Sequence, residues 1–127
     1  MTLFVTPVFV VVFLVFQVAI TNAVGYRRLR TGIHFLDGGD VTLTRRMRAH
    51  GNFTETVPIS LIAMLTAELM GASATVLWIG GALLLVGRTW HYGVIVTQGW
   101  GHGRALSMVL TFAAMLTFAG AILWRLG

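Results

Sequence analysis

Four long apolar stretches, separated by short polar or glycine-rich segments, organise the chain. A helix that crosses a bilayer needs about 20 largely apolar residues. The sequence predicts four such helices, with approximate bounds 3–24, 52–70, 74–96 and 104–124. Because these stretches leave little chain for anything else, we expect one domain, residues 1–127, folded as an all-α membrane-embedded bundle of four helices.

The longest connection between the predicted helices runs from Gly25 to about Val41. Its segment 37–40, Asp-Gly-Gly-Asp, is typical of a turn, and Asp40 is placed to cap the following helix. No positive charge precedes the first apolar stretch, whereas a cleavable signal peptide usually begins with one. We therefore expect the first stretch to be a retained helix.

The composition supports a membrane protein and excludes several other classes. Hydrophobic residues make up 57% of the chain and charged residues 10%, and this charged share is less than half of that typical for a soluble domain. The polar composition is too low for a cytosolic enzyme or a disordered chain, and a disulfide-stabilised scaffold is excluded because the sequence has no cysteine. Any thiol chemistry therefore uses a thiol from another molecule.

All the basic residues are arginines, and most of them flank the first connection. The six around it are Arg27, Arg28, Arg30, Arg45, Arg46 and Arg48. Basic residues close to the ends of membrane spans favour the cytoplasmic side. The pattern predicts that this arginine-rich loop is cytoplasmic and that both termini are outside. Taken alone, Arg45 and Arg46 are more typical of topology determinants that contact lipid phosphate than of site residues.

Polar side chains recur at matched depth within the predicted helices. At a rise of about 1.5 Å per residue, Gln17, Glu55 and Arg88 each lie roughly 21–22 Å from the outer end of their helix. About one turn further in lie Asn52, His91 and Arg104. Ionisable groups inside a membrane usually face protein or a water-filled cavity, and guanidinium groups favour carboxylate or phosphate partners. The pattern predicts a cavity for an anionic cytosolic ligand, which a lipophilic reactant can reach from the bilayer.

The same residues also admit structural explanations. Glu55 and Arg88, taken alone, favour an ion pair that holds the bundle together. Asn52 is equally well explained as a residue that forms a hydrogen bond between helices, and His91 as a buried core histidine. One alternative function is a small proton-coupled transporter, in which Glu55 gains and loses a proton opposite Arg88 during alternating access. Another is a non-catalytic lipid-binding scaffold. The one-sided distribution of arginine disfavours the transporter, because a dual-topology carrier has nearly balanced loop charge.

Other residues are expected to have structural roles. One side of the second helix has a polar stripe, formed by Arg45, Arg48, Asn52 and Glu55 at helical spacing. His50 faces away from this stripe, and Glu68 lies on the opposite side near the outer surface, which indicates a separate role. Gly80, Gly81 and Gly87 are expected to let helices approach closely. The four histidines have no close-spaced partners of the kind that bind metal, so no metal is expected.

The segment Arg48–Pro58 resembles a known family. It matches the pattern R-A-x-x-N-x-x-E-x-x-P on the second helix of the MAPEG family, the membrane-associated proteins of eicosanoid and glutathione metabolism. Gly87-Arg88 followed by His91-Tyr92, and Gly103-Arg104 followed by Met108 and Thr111, extend the resemblance over essentially the whole chain. The sequence is most similar to the short prokaryotic branch. One departure is Ile95, which stands where some members have a tyrosine.

The resemblance implies a homotrimer in the prokaryotic inner (plasma) membrane, with glutathione bound at each subunit interface near the cytoplasmic side. Arg104 matches the arginine that is assigned to thiolate activation. The residues that match glutathione-contacting positions are Arg27 or Arg28, Arg48, Asn52, Glu55, Arg88 and His91.

The implied function is that of a glutathione-dependent transferase or peroxidase-like protein. Such a protein joins a cytosolic thiol to a small lipophilic electrophile, with glutathione as co-substrate and no metal. The expected partners are other copies of the chain and membrane lipids, and no nucleic acid is expected.

Overall fold

The computed structural model describes residues 3–127, and these residues form four α-helices. The helices are α1 (Thr6–Thr31), α2 (Val41–Leu69), α3 (Ala74–Thr97) and α4 (His102–Leu126). Helix α2 packs against the other three, and α3 packs most extensively against α4. The predicted all-α fold with four helices is confirmed.

Helix α1 extends further than its apolar stretch. It continues to Thr31 and so includes Arg27, Arg28 and Arg30. Arginine is a good helix former, and a cation suits the last turn, where free carbonyl groups carry partial negative charge. Gly32 then ends the helix in a left-handed conformation, with φ 69°. The connection before α2 is therefore shorter than predicted, because it begins after Thr31 and not at Gly25.

Asp40 begins α2, as predicted from its position. Its Oδ1 accepts a hydrogen bond from the backbone N–H of Leu43 at 2.6 Å. Nε and Nη2 of Arg27 bind the same carboxylate at 3.1 and 2.6 Å. The Arg27 guanidinium, followed by the Leu43 N–H, holds the pKa of Asp40 below its usual value. This one carboxylate ties the end of α1 to the start of α2.

Glu68, near the end of α2, caps the beginning of α1. Its carboxylate accepts the backbone N–H groups of Phe4, Val5 and Thr6, each at 2.7 Å. The first N–H groups of a helix have no partner within the helix and carry partial positive charge, so a carboxylate is well suited to them. The separate role predicted for Glu68 is therefore structural, since it joins the outer ends of α1 and α2.

Glycines on α3 let this helix pack closely against its neighbours. A Cβ atom on Gly80 would overlap the ring of Phe118, and one on Gly81 would overlap the ring of Phe9. A Cβ atom on Gly87 would lie 2.9 Å from Oγ1 of Thr111 and 3.0 Å from the Ser107 carbonyl oxygen. The close approach predicted for these three glycines is confirmed, and at Gly87 it brings α3 against the polar side chains of α4.

By length and composition, three helices in residues 3–127 can cross a membrane: α1, α3 and α4. Helix α2 is the longest, but its first half contains Arg45, Arg46, Arg48 and Glu55. These charges lower its hydropathy, and they lie at the end of the bundle that holds the α1–α2 and α3–α4 connections. The polar half of α2 is therefore the part of the fold on which a site can form.

Candidate functional site

One cavity brings together three of the predicted site residues. Arg48 and Asn52 of α2 and Arg104 of α4 line a space of about 260 Å³, together with Ile95 and Gly99 at the end of α3. Two arginines and one amide therefore border a single cavity formed by three helices. Such a set of donors suits an anionic ligand with carboxylate groups.

The spacing on α2 explains how this helix supplies its part of the cavity. Arg48 and Asn52 are four residues apart and so lie on the same side of the helix. Nδ2 of Asn52 donates a hydrogen bond to the Arg48 carbonyl oxygen at 3.0 Å. The amide oxygen and the second hydrogen of Nδ2 remain available to a ligand. Glu55, the last residue of the polar stripe, is exposed and does not line the cavity.

Arg45 supports the wall of the cavity at the end of α3. Its Nη1 donates to the Thr97 carbonyl oxygen at 2.8 Å, and its Nε lies 3.0 Å from the position of a Cβ on Gly99. Gly99 has φ +77°, a conformation that suits glycine because it has no side chain. Arg46 likewise binds the protein, through the Ala23 carbonyl oxygen at 2.7 Å. Both arginines therefore hold neighbouring helices, in addition to any contact with lipid.

Arg88 does not line this cavity and is only 1% exposed. Its guanidinium donates to Oγ1 of Thr111 at 2.9 Å, to Oγ1 of Thr56 at 3.1 Å and to Sδ of Met108 at 3.0 Å. The expected ion pair with Glu55 is wrong, since within residues 3–127 the only ion pair is Arg27–Asp40. Successive residues of a helix point about 100° apart. Thr56 therefore faces Arg88 while Glu55 points outward.

His91 is also buried, and it is linked to the first turn of α4. Its Nδ1 lies 3.0 Å from Oγ of Ser107, which in turn donates to the Arg104 carbonyl oxygen at 2.8 Å. Its Nε2 has no hydrogen-bond partner within residues 3–127. His91 and Arg88 are thus both buried, and neither of them lines the cavity.

The arginines at the end of α1 are engaged by the first loop. Arg27 binds Asp40, and Nη1 of Arg28 donates to the carbonyl oxygens of Ile33 and Leu36 at 3.1 and 2.9 Å. Within the chain, neither arginine lines the cavity that contains Arg48. Their contact with glutathione, which the resemblance implies, stays a prediction.

A second cavity shares Arg104 with the first. It measures about 430 Å³ and is lined by Trp100, Gly101, His102, Arg104, Ala105 and Met108. Cζ of Arg104 lies 5.1 Å from the centre of the Trp100 ring, a distance typical of a cation–π contact. Sequence reasoning missed Trp100, because it lies in the α3–α4 connection, where no helical spacing relates it to Arg104.

His50 contributes to a polar contact between α1 and α2, which agrees with the structural role predicted for it. Its Nε2 lies 3.1 Å from Nε2 of Gln17 and 3.1 Å from Oγ1 of Thr21. Gln17 also donates to Thr21 at 3.0 Å. This cluster satisfies polar groups between the two helices and lies apart from the residues that line the cavity of Arg48.

The apolar helices and the arginine-lined cavity define an α-helical membrane protein with a candidate site. The sequence model of the MAPEG family matches residues 4–124. Inner membrane protein YecN of Escherichia coli strain K12 is 35% identical over 101 residues, which cover 76% of this chain and 73% of YecN. YecN of Escherichia coli O6:H1 strain CFT073 gives the same values. The chain belongs to the MAPEG family, which confirms the resemblance seen in the sequence.

Proposed function

We propose that the protein is a membrane-embedded, glutathione-dependent transferase or peroxidase-like protein. The observation that carries the proposal is the single cavity lined by Arg48, Asn52 and Arg104. These residues lie on two helices. The resemblance implies contact with glutathione for Arg48 and Asn52, and activation of the thiolate for Arg104. Glutathione has two carboxylates and a thiol, and such a compound fits a cavity bordered by guanidinium groups.

Arg104 has a position that suits activation of the thiol. A free thiol has a pKa of about 8.5, and a nearby cation stabilises the thiolate, which is the nucleophile. Arginine remains protonated when it is partly removed from water, so it is a dependable source of positive charge. In the proposed reaction the thiolate attacks an electrophilic carbon, and a carbon–sulfur bond forms as the leaving group departs.

The second cavity offers a place for the lipophilic reactant. It shares Arg104 with the first cavity, and its other walls include the indole of Trp100 and the thioether of Met108. An apolar electrophile from the bilayer is compatible with these walls. The two reactants would then meet on either side of one guanidinium group.

The exposed carboxylate of Glu55 supports assembly into a homotrimer. Glu55 has no ion-pair partner within residues 3–127, and it lies in the predicted span of α2. An ionised carboxylate in contact with lipid is costly, so a neighbouring subunit or a ligand at the subunit interface is expected to cover it. Native mass spectrometry in detergent should detect three chains per particle, and a monomer under the same conditions would contradict this assembly.

We further propose that the protein lies in the inner membrane with its arginine-rich loop in the cytoplasm. Because the chain has no cysteine, a single cysteine can report topology without background. Cysteine in place of the exposed His34 should react with an impermeant maleimide only after the inner membrane is permeabilised. Equal labelling in spheroplasts with an intact inner membrane would contradict the orientation.

The activity can be tested with purified protein in detergent micelles. We expect the protein to bind glutathione in calorimetry and to conjugate it to chlorodinitrobenzene. Arg104→Ala should lower the conjugation rate at saturating glutathione by about 100- to 1,000-fold, the range for loss of one electrostatic contact in a transition state. It should affect glutathione affinity less.

Arg30→Gln is a matched control for the loss of an arginine. The Arg30 guanidinium lies 5.9 Å from the centre of the Tyr26 ring at the end of α1, and Arg30 lines neither cavity. This variant should retain wild-type conjugation and binding. Wild-type protein that neither binds glutathione nor conjugates it would refute the proposed function.

A further inference from the structure

We infer that Trp100 is a positioning residue, which holds the Arg104 guanidinium over its ring and leaves the N–H groups of that guanidinium free for the thiol compound. The part of this role that concerns the ligand rests on the proposed function. The contact between Trp100 and Arg104 is a property of the unliganded chain and can be tested separately.

The guanidinium of Arg104 has no polar partner in the part of the chain that the structure describes. The hydrogen bonds of Arg104 within residues 3–127 are made by its backbone, to the Gly101 carbonyl oxygen at 3.0 Å and from Oγ of Ser107 at 2.8 Å. The ion pair found in these residues is Arg27–Asp40. The indole of Trp100, with its centre 5.1 Å from Cζ, is therefore the group that can fix this guanidinium.

An aromatic ring holds a cation in a way that suits an activating arginine. The electrons of the ring face attract the positive charge, and a guanidinium has five N–H donors in its own plane. A carboxylate partner would use these donors and would bring a negative charge next to the thiol. The indole does neither, so Arg104 keeps the charge that stabilises a thiolate.

The two cavities separate the indole from the place proposed for the anionic ligand. Arg104 lines both cavities, whereas Trp100 lines only the second. In the first cavity the other polar residues are Arg48 and Asn52. A ligand there can therefore contact Arg104 without displacing Trp100.

The backbone at both ends of the α3–α4 connection is held by α2 and α3. Nη1 of Arg45 donates to the Thr97 carbonyl oxygen at 2.8 Å, where α3 ends. A Cβ atom on Gly103 would lie 3.0 Å from Cγ2 of Val94, so the first turn of α4 packs closely on α3. With the backbone fixed on both sides, the contact with Trp100 decides where the long Arg104 side chain points.

The contact can be measured by NMR without any ligand. Protein labelled with ¹⁵N at arginine is examined in micelles, and the Nε–H signal of Arg104 is assigned by its loss in Arg104→Lys. Protons above an aromatic ring are shifted upfield by the ring current. Trp100→Ala should therefore move this signal downfield, and Trp100→Phe should keep most of the shift. Trp124→Ala is the matched control, because Trp124 is also exposed and lies about 30 Å further along α4.

The pH dependence of conjugation tests the effect on the thiol. Trp100→Ala should raise the pKa that governs kcat and lower kcat at neutral pH by about two- to fivefold, which corresponds to about 0.5–1 kcal/mol for an exposed cation–π contact. The KM for glutathione should stay within about twofold, since the change acts on thiolate formation more than on binding. Above the pKa of the thiol the deficit should shrink, because the thiolate then forms without help.

Other charged and titratable groups near Arg104 are the same in every Trp100 variant. None of the acidic residues lines either cavity. The groups that are present on the neighbouring elements are Arg45 and Arg48 of α2, buried His91 of α3 and His102 at the start of α4. A difference between the pH profiles of the wild type and Trp100→Ala therefore reports on the indole.

The outcomes separate this inference from the proposed function. An Arg104 signal that does not move in Trp100→Ala would overturn the contact. A wild-type pH profile in Trp100→Ala, or a deficit of the same size at every pH, would overturn the role in thiolate formation. If the wild type neither binds nor conjugates glutathione, the proposed function fails, and the NMR comparison still decides whether Trp100 holds Arg104.

Discussion

Nε of Arg88 lies 2.9 Å from Oγ1 of Thr111, and both side chains are buried between α3 and α4. The same guanidinium reaches Thr56 on α2 and Met108 on α4. These three acceptors are all uncharged. Arg88 therefore joins three helices through hydrogen bonds.

Thr111→Val should destabilise the bundle. Valine has nearly the same shape as threonine, but it leaves Nε of a buried cation without its acceptor. We expect the free energy of unfolding to fall by about 1–3 kcal/mol, measured by circular dichroism during denaturation in micelles. Thr117→Val is the control, because Oγ1 of Thr117 bonds only the Ala113 carbonyl oxygen of its own helix. Equal losses in the two variants would argue against a special role for the Arg88 contact.

Alanine substitutions at two glycines of α3 should have opposite effects. A Cβ on Gly87 would press against Thr111 and the Ser107 backbone, whereas one on Gly93 would have nothing within 4 Å. Gly87→Ala should cost about 1–3 kcal/mol through overpacking. Gly93→Ala should be neutral or stabilise by up to about 1 kcal/mol, since alanine favours the helix. Melting temperatures of the two variants check this, and a similar decrease in both would contradict the packing described for Gly87.

Glu68→Gln should loosen the beginning of α1. The carboxylate accepts three backbone N–H groups, and an amide has no charge and a single acceptor oxygen. We expect a loss of about 1–2 kcal/mol, as for other helix N-terminal caps, and faster hydrogen exchange at Phe4, Val5 and Thr6. Thr66→Val is the control, because Thr66 donates only to Ile62 of its own helix. Unchanged exchange in Glu68→Gln would refute the capping role.

Arg27→Gln should raise the pKa of Asp40. In the folded protein Arg27 and the Leu43 N–H hold this pKa below its usual value of about 3.9. The stabilisation from ionised Asp40 is therefore present above about pH 3.9 and is lost as the pH falls through the lowered pKa. A ¹³C NMR titration of the carboxyl group measures the change, and Arg30→Gln is the control. A pKa that does not rise in Arg27→Gln would show that the pair contributes little.

Local features of the fold could be predicted from the sequence. Asp40 was identified as a cap because a carboxylate just before a helix has a short-range partner, the N–H of Leu43. Gly80, Gly81 and Gly87 were identified because small residues in an apolar helix indicate close packing. The grouping of Arg48 with Asn52 followed from their four-residue spacing. Each of these depends on residues that are near in sequence or on one helix face.

The contacts between helices could not be predicted in the same way. Counting residues from a helix end gives the depth of a side chain, but not its direction around the axis. Glu55 and Thr56 therefore have nearly the same depth, and only the packed structure shows that Arg88 meets Thr56. The contact between Ser107 and His91 could not be predicted either, because the two residues lie on different helices.

The most direct test of the account is a calorimetric titration of glutathione into the purified protein and two arginine variants. We predict saturable binding by the wild type and by Arg30→Gln. Arg48→Ala should bind about 10- to 100-fold more weakly, in line with loss of a charge-assisted hydrogen bond. Undiminished binding in Arg48→Ala, or no binding by the wild type, would contradict the claim that the cavity of Arg48, Asn52 and Arg104 is the glutathione site.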